Sequence, residues 1–238
     1  MVENTLLTWN VLSSLEGNHE IKHTRATLNC MTTKAYLTVE DLQCIRDDRV
    51  LFEALNFTLT EGQLLQIEGH NGSGKTSLLR ILCGLTFPTE GVVSWQGQDI
   101  QKTRSNYWAS LLYVGHTSGI KADLTPLENL RMARTLGGIP TKTSLEEALI
   151  RVGLLGFEEV PTRTLSAGQQ RRVALARLLL NEAQLWILDE PFTALDKTAI
   201  AHVEGWLNEH AQRGGIAVLT SHHPVQCEHT TFIHLGES

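Results

Sequence analysis

The chain has 238 residues, a formal net charge of −6 and a hydrophobic fraction of 42%. This length and composition are those of a folded globular protein with a substantial core, and they exclude an intrinsically disordered chain. The acidic balance argues against a dedicated nucleic-acid binder, and no apolar run approaches the roughly 18 residues that a transmembrane helix needs.

The first 35 residues show no sustained hydrophobic period and are predicted to form a mobile N-terminal extension. They contain neither a charged-then-apolar leader with a cleavage site nor the basic excess of an organellar transit peptide, so we expect no export or transit signal. Met31 stands just before the first strand-like segment. Two interpretations therefore remain: translation starts at Met31, or the extension is a genuine accessory tail.

Beyond the extension, apolar and polar residues alternate at first and later acquire helical spacing. The predicted elements are, in chain order, strands over 36–42, 55–59 and 64–68, a glycine-rich bend over 69–74, a helix over 76–83, a strand over 91–97, helices within 124–160 and over 166–181, and strands over 184–188 and 216–220. This order predicts an α/β core with parallel strands and an α-helical subdomain.

The glycine-rich bend has the sequence of a phosphate-binding loop. It fits G-x-x-x-x-G-K-[ST] and lies between a predicted strand and a predicted helix, which is the context that this motif requires. Its glycines allow successive N–H groups to converge on one anion, and the helix N-terminus adds a favourable dipole. Lys75 can reach the β- and γ-phosphates of a nucleotide, and the Thr76 hydroxyl can ligate Mg²⁺. The candidate nucleotide-binding residues are Gly69, His70, Asn71, Gly72, Ser73, Gly74, Lys75 and Thr76.

The apolar strand over 184–188 runs into two acidic residues, Asp189 and Glu190. A buried strand would deliver Asp189 rigidly to the magnesium side of the phosphate loop, where its carboxylate would hold Mg²⁺ through water. Glu190 would polarise the attacking water as a general base. Alternatively, the two acids could simply end a strand at the surface without a catalytic role. The presence of a phosphate loop in the same chain disfavours this alternative.

The segment over 165–177, LSAGQQRRVALAR, resembles the LSGGQ signature of ABC-type ATPases, with the small residue Ala167 in the third position. Ser166 is of a good N-cap type, so a helix should begin there and present N–H groups and a hydroxyl to an anion. The resemblance runs from about residue 36 to the end of the chain. It implies that Ser166 and Gly168 contact the γ-phosphate of ATP bound to a second ATPase subunit, in a head-to-tail dimer.

The same resemblance implies a fold class and a domain plan. The fold is α/β: a P-loop NTPase core of the ABC ATPase type, with an antiparallel β subdomain and an α-helical subdomain. The ATPase domain would span 36–238, with the helical subdomain at about 117–165. Residues 194–196 resemble the D-loop of the dimer interface, and Thr220-Ser221-His222 resembles the switch segment after the last predicted strand. The predicted catalytic residues are then Lys75, Glu190 and His222. Of these, His222 would contact the γ-phosphate.

Two positions depart from the family pattern. His116 occupies the Q-loop position, where relatives usually carry glutamine, and an imidazole can ligate a metal or hydrogen-bond a water. His116 is therefore a candidate Mg²⁺ contact. No aromatic residue precedes the phosphate loop where many relatives stack adenine; Arg46 and Arg49 could stack on the base or remain solvated. The adenine contacts therefore stay unassigned.

Several longer phrases are similar to the ATP-binding subunits of the haem exporter of cytochrome c biogenesis, including VSWQG at 93–97, GH at 115–116 and LWILDEPFT at 185–193. This resemblance implies a peripheral subunit on the cytoplasmic face of the bacterial inner membrane. Its cofactors would be ATP and Mg²⁺, its partners a second ATPase subunit and the membrane subunits CcmB and CcmC, and it would bind no nucleic acid. ATP turnover would drive haem export or the release of a haem-loaded chaperone. The coupling surface is expected near His116 and residues 117–160.

Other functions remain as alternatives. The chain could drive a different transporter, act as a non-transport ABC ATPase, or bind nucleotide without hydrolysing it. The histidine-rich segment over 222–229 could also be a metal or haem ligand set, although close spacing alone does not set coordination geometry. A loop in which one histidine serves another purpose is the favoured interpretation of that segment. Four scattered cysteines without a CxxC pair predict free thiols in a reducing compartment.

Overall fold

A computed structural model describes residues 35–137, 140–227 and 229–236. The extension predicted over residues 1–35 and the alternative start at Met31 lie outside the described residues, except that Ala35 already belongs to the first strand. The strands are β1 (Ala35–Arg46), β2 (Arg49–Thr60), β3 (Leu64–Gly69), β4 (Glu90–Trp95), β5 (Gln98–Asp99), β6 (Leu111–Val114), β7 (Leu185–Asp189), β8 (Ile216–Thr220) and β9 (Thr230–Leu235). The α-helices are α1 (Lys75–Leu82), α2 (Arg104–Ala109), α3 (Pro126–Leu136), α4 (Leu145–Arg151), α5 (Ala167–Ala176) and α6 (Lys197–Gln212).

One sheet is antiparallel, in the order β2-β1-β4-β5. Its first two strands form a hairpin much longer than the predicted strands over 36–42 and 55–59. The register between β1 and β2 shifts at several points, and Asp41 and Ala54 have left-handed backbones with φ of 46° and 48°. These β-bulges break the strict alternation of apolar and polar residues, so the sequence pattern marks only part of each strand.

The other sheet is parallel, in the order β6-β7-β8-β3-β9. Every residue of β7 and β8 is buried, which explains their continuous apolar sequences. The predicted parallel core is confirmed, but the expectation that the strand over 216–220 is the last one is wrong. Strand β9 follows it and pairs with β3. Three of the six residues of this edge strand are exposed and only Leu235 is buried, so it lacks the apolar run of a central strand.

The helices have well-defined starts. Thr125 and Glu128 form a capping box at α3, Ser144 caps α4, and Asp196 caps α6 through the Ala199 N–H. The helix predicted over 166–181 is shorter than expected, because α5 ends at Ala176 and a 3₁₀ turn follows. Helix α2 was not predicted; its six residues are too few to show a clear period.

Two cores lie on opposite faces of the parallel sheet, because alternate residues of a strand point to opposite sides. Trp186 and Leu188 of β7 pack in one core with α5 and α6, whereas Leu185 and Ile187 pack in the other with α1. Within the described residues, no helix combines the length and the apolar character that a bilayer crossing requires. The carboxyl ends of β3, β7 and β8 lie side by side, at the edge where ligands bind in open α/β sheets.

Candidate functional site

The phosphate loop joins β3 to α1 at this edge. Gly69 ends the strand with a φ of 143°, and a Cβ there would lie 2.4 Å from the Leu235 carbonyl oxygen and 2.6 Å from Ser73 Oγ. Gly72 has a φ of 84°, and a Cβ there would meet nothing within 4 Å. The first glycine is therefore required by close packing against β9, whereas the second faces open space at the mouth of the loop.

Lys75 folds back over this loop. Its Nζ donates hydrogen bonds to the carbonyl oxygens of Gly69, at 2.6 Å, and His70, at 3.1 Å. Ser73 Oγ is buried and has no hydrogen-bond partner among the described residues. A cation held above the loop and an unused buried hydroxyl are the groups that a phosphate would satisfy. The loop therefore fits the anion that its sequence predicts.

The end of β7 faces the first turn of α1. Thr76 donates a hydrogen bond from Oγ1 to Asp189 Oδ2 at 3.1 Å, and Thr220 donates one to Asp189 Oδ1 at 2.8 Å. Asp189 is buried. A hydroxyl and a carboxylate are hard oxygen donors of the kind that Mg²⁺ prefers, so the predicted ligands Thr76 and Asp189 are compatible with that ion.

Glu190 turns sharply away from β7. Its φ is 50°, an uncommon value for a non-glycine residue, and its N–H donates to Thr220 Oγ1 at 2.9 Å. Its carboxylate Oε1 lies 3.6 Å from His222 Nε2, with His222 the more exposed of the two side chains. The left-handed turn thus aims the carboxylate towards the switch segment, and the main chain of Glu190 is fixed independently of its side chain.

These groups open into one cleft of about 600 Å³. Its lining includes Lys75, Thr76, Asp189, Glu190, His116 and His222 together with Arg46 and Leu51 from the hairpin. The structure therefore brings together the loop, the acidic strand end, the Q-loop position and the switch segment. Of the two arginines considered for adenine, Arg46 lines the cleft and Arg49 does not. Leu51 also lines the cleft, and it was not predicted from the sequence. Among the described residues, Ser166 and Gly168 do not line this cleft.

Ser166 and Gly168 lie instead at the start of α5. Ser166 is the N-cap, as predicted: its Oγ accepts from the Gln169 N–H at 3.2 Å, and Gln169 Oε1 accepts from the Ser166 N–H at 2.9 Å. The hydroxyl proton of Ser166 stays available for an anion. A Cβ on Gly168 would lie 2.5 Å from the Ala194 carbonyl oxygen, so the signature segment packs tightly on the segment that resembles a D-loop.

Arg171 has a structural role that the sequence did not reveal. Its buried guanidinium donates to the Gly115 carbonyl oxygen at 2.8 Å and to the carbonyl oxygens of Asp189 and Glu190, each at 2.8 Å. A further bond reaches the Pro191 carbonyl oxygen at 3.3 Å. Burial lowers the pKa of Arg171, although the nearby Asp189 and Glu190 carboxylates oppose that change. One side chain therefore fixes both the residue before His116 and the turn that carries Glu190.

The histidine-rich segment after β8 is not gathered around one point. His222 faces Glu190, whereas His223 Nε2 lies 3.4 Å from Glu204 Oε1 and its ring packs edge-on against Phe192. Among the described residues, no group of three or more His, Cys, Asp or Glu side chains is arranged to hold a metal ion. The interpretation of this segment as a loop is consistent with these separate contacts.

Comparisons with known proteins agree on the type of domain. The chain matches the family described as ABC transporter over residues 52–193. It is 57% identical to the cytochrome c biogenesis ATP-binding export protein CcmA of Methylococcus capsulatus, over 79% of this chain and 92% of that protein. It is 54% identical to the CcmA protein of Nitrosococcus oceani, over 84% and 92%. A solved ATP-binding subunit of an ABC transporter superposes with a TM-score of 0.75 at 26% identity, over 84% of this chain and 85% of that chain.

Proposed function

The chain belongs to the ABC transporter family, among its cytochrome c biogenesis ATP-binding export proteins, and from this premise we propose that it powers the haem exporter of cytochrome c maturation. It is an ATP-hydrolysing subunit of a transport system. The observation that carries the proposal is the cleft in which a phosphate loop, a buried aspartate and the Glu190–His222 pair meet. The transported species in this proposal is haem, or a haem-loaded chaperone released by the complex.

In this proposal the residues of the cleft divide the work of hydrolysis. Lys75 and the loop N–H groups bind the β- and γ-phosphates, and His222 contacts the γ-phosphate. Thr76 and Asp189 would hold Mg²⁺, with His116 as a further candidate contact; when bound, the ion would neutralise negative charge on the phosphates. Glu190 accepts a proton from the attacking water as a general base. Its position 3.6 Å from His222 supports this assignment, because both groups can then face the same phosphate.

The working unit in this proposal is a head-to-tail dimer. The location of Ser166 and Gly168 outside the cleft supports it, because their anion-binding groups then have a phosphate only on a second copy of the chain. Each subunit would supply a phosphate loop to one ATP and a signature helix to the other. The N-terminus of α5 and the free Ser166 proton are suited to the γ-phosphate of the partner's nucleotide.

The membrane partner in this proposal docks beside α3. A groove of about 390 Å³ lies between β6, α3 and the end of α5, and its lining includes Trp108, Ile120, Leu136, Arg134 and Arg177. No acidic side chain lines it among the described residues, although the chain as a whole is acidic. Arg177 Nε is buried without a hydrogen-bond partner among the described residues, and burial lowers the pKa of this side chain.

A groove with apolar side chains, two arginines and a buried Arg177 Nε–H that lacks a partner among the described residues matches an amphipathic segment that carries a carboxylate. We assign this segment to a cytoplasmic loop of a membrane subunit, CcmB or CcmC. The proposal implies a location on the cytoplasmic face of the bacterial inner membrane, through these subunits.

Reversing the charge of Arg177 is expected to weaken this docking. Arg177→Glu would bring a carboxylate against the partner's own, and we expect at least about a tenfold fall in the amount of membrane subunit that co-purifies. The control is Arg131→Glu, which makes the same change of charge, because Arg131 is exposed on α3 and does not line the groove. Melting temperatures measured in parallel identify variants that fail to fold. Equal co-purification with both variants would contradict docking in this groove.

The function itself is tested in the native host. Glu190→Gln, present at the normal protein level, is expected to remove the haem-stained bands of c-type cytochromes from a denaturing gel, because covalent haem survives electrophoresis and reports maturation directly. Glu182→Gln is the matched control, since this glutamate is exposed, lies at the other end of β7 from Glu190 and is outside the cleft. Unchanged bands in the Glu190→Gln strain would contradict the haem assignment and favour the motor of a different transporter.

A further inference from the structure

A glutamine is buried in the middle of the strand that leads to the phosphate loop. Gln66 is 1% exposed, although β3 is otherwise apolar over Leu64–Ile67 and lies between β8 and β9 in the parallel sheet. A buried polar side chain is costly unless its hydrogen bonds are satisfied, so its partners indicate why it is there. This residue belongs neither to the phosphate-loop motif nor to the cleft lining.

Three of the partners of Gln66 lie in the loop after β8. Nε2 donates to the carbonyl oxygens of Ser221, at 3.4 Å, and His223, at 3.2 Å, and Oε1 accepts from the Val225 N–H at 3.1 Å. The fourth partner is Glu68 Oε1, which accepts from Nε2 at 3.0 Å. The orientation of the amide follows from this arrangement, because three acceptors surround one end and a donor faces the other.

The two carbonyl groups that Gln66 holds flank His222. Ser221 precedes it and His223 follows it, so the amide is hydrogen-bonded to the backbone on both sides of the switch histidine. His223 is held again by Glu204 on α6, and Ser221 Oγ accepts from the His223 N–H at 2.8 Å. The backbone around His222 is thus fixed from inside the protein, while its own ring stays exposed and reaches Glu190.

We infer that Gln66 is a positioning residue for hydrolysis, which holds the switch loop so that His222 faces the γ-phosphate site. The inference rests on the proposed function, because it assigns Gln66 a role through the His222–Glu190 pair. Gln66 lies three residues before Gly69 on the same strand, so a single rigid element carries both the start of the phosphate loop and the support of the switch. Removing the amide leaves two carbonyl groups and one N–H without their buried partner, and the loop must rearrange to satisfy them.

The test is Gln66→Leu, a substitution of similar size that cannot form these bonds, in the full chain. Because phosphate binding depends on the loop and Lys75, we expect kcat for ATP hydrolysis to fall about tenfold or more while KM stays within about twofold. Gln63→Leu is the matched control and should retain wild-type kcat, since Gln63 bonds to the Thr60 N–H and not to the switch loop. If Gln66→Leu does not fold, Gln66→Met, a straight-chain replacement without donors, takes its place.

The decisive measurement is the double variant. In single-turnover assays, which detect slow hydrolysis, Gln66→Leu combined with His222→Ala should react within about twofold of His222→Ala alone, because the glutamine acts through the histidine. Additive losses, or wild-type kcat for Gln66→Leu, would overturn the inference while leaving the proposed function intact. Wild-type hydrolysis by His222→Ala would overturn the role of His222 and this inference with it.

Discussion

Lys75→Ala is expected to weaken ATP binding by about 100-fold or more and to abolish measurable hydrolysis. Lys75 is the cation that the structure holds over the phosphate loop, with its Nζ 2.6 Å from the Gly69 carbonyl oxygen. A nucleotide can replace these bonds to neutral carbonyl oxygens with bonds from the ammonium group to its charged β- and γ-phosphates, in which both partners carry charge. Alanine leaves the loop glycines and the dipole of α1 but removes the charge. Titration with a fluorescent ATP analogue and a phosphate-release assay measure both effects.

The matched control for this prediction is Lys102→Ala. Lys102 is an exposed lysine whose Nζ lies 3.7 Å from Asp99 Oδ2 in a surface ion pair, so its loss should leave binding and turnover unchanged. The comparison separates the loss of one specific cation from a general change in net charge. Full turnover by Lys75→Ala would contradict the assignment of the phosphate loop.

Glu190→Gln is expected to bind ATP normally, to lose about 10³-fold in kcat, and to accumulate as an ATP-bound dimer. The substitution keeps the size of the side chain but removes its ability to take a proton from water. The fold should tolerate it well, because the N–H of Glu190 bonds to Thr220 Oγ1 and its carbonyl oxygen accepts from Arg171, and both groups belong to the main chain. The chain then closes on ATP but cannot reopen through hydrolysis.

Size-exclusion chromatography with and without ATP, combined with single-turnover hydrolysis, measures this outcome. The Glu182→Gln variant should behave as the unmodified chain in both assays. A variant that stays monomeric with ATP and turns over at the normal rate would show that Glu190 is not the base. Slow hydrolysis by the isolated protein does not obscure the result, because the rates of two variants purified in the same way are compared with each other.

The phosphate loop and the acidic strand end could be located from sequence because their chemistry is local. The loop carries its glycines, Lys75 and Thr76 within eight consecutive residues, and the strand before Asp189 is continuously apolar because both of its faces are buried. A short motif in the right order of elements therefore determines which groups meet. The Thr76–Asp189 bond joins residues far apart in the chain, yet both ends were predicted from their own segments.

The supports of the site could not be predicted in the same way. Gln66 bonds to residues more than 150 positions away, and Arg171 acts through carbonyl groups, which every residue possesses and which therefore leave no trace in the sequence. Thr220 was seen only as part of a switch-like tripeptide, although its hydroxyl links Asp189 to the Glu190 N–H. The signal available for Gln66 was a lone glutamine in an apolar strand, which indicates a buried polar contact but not its partner.

Arg171 also connects the groove beside α3 to the turn that carries Glu190. The segment it holds at Gly115 lies between β6 and Gly119, both of which contribute to the groove beside α3, and the same guanidinium holds the turn that bears Glu190. In the proposed function, a protein that docks in this groove and shifts the segment is connected to the turn of Glu190 through Arg171. If docking changes the affinity for ATP by some factor, thermodynamic reciprocity requires ATP to change the affinity for the docked protein by the same factor, so the coupling can be measured from either binding reaction.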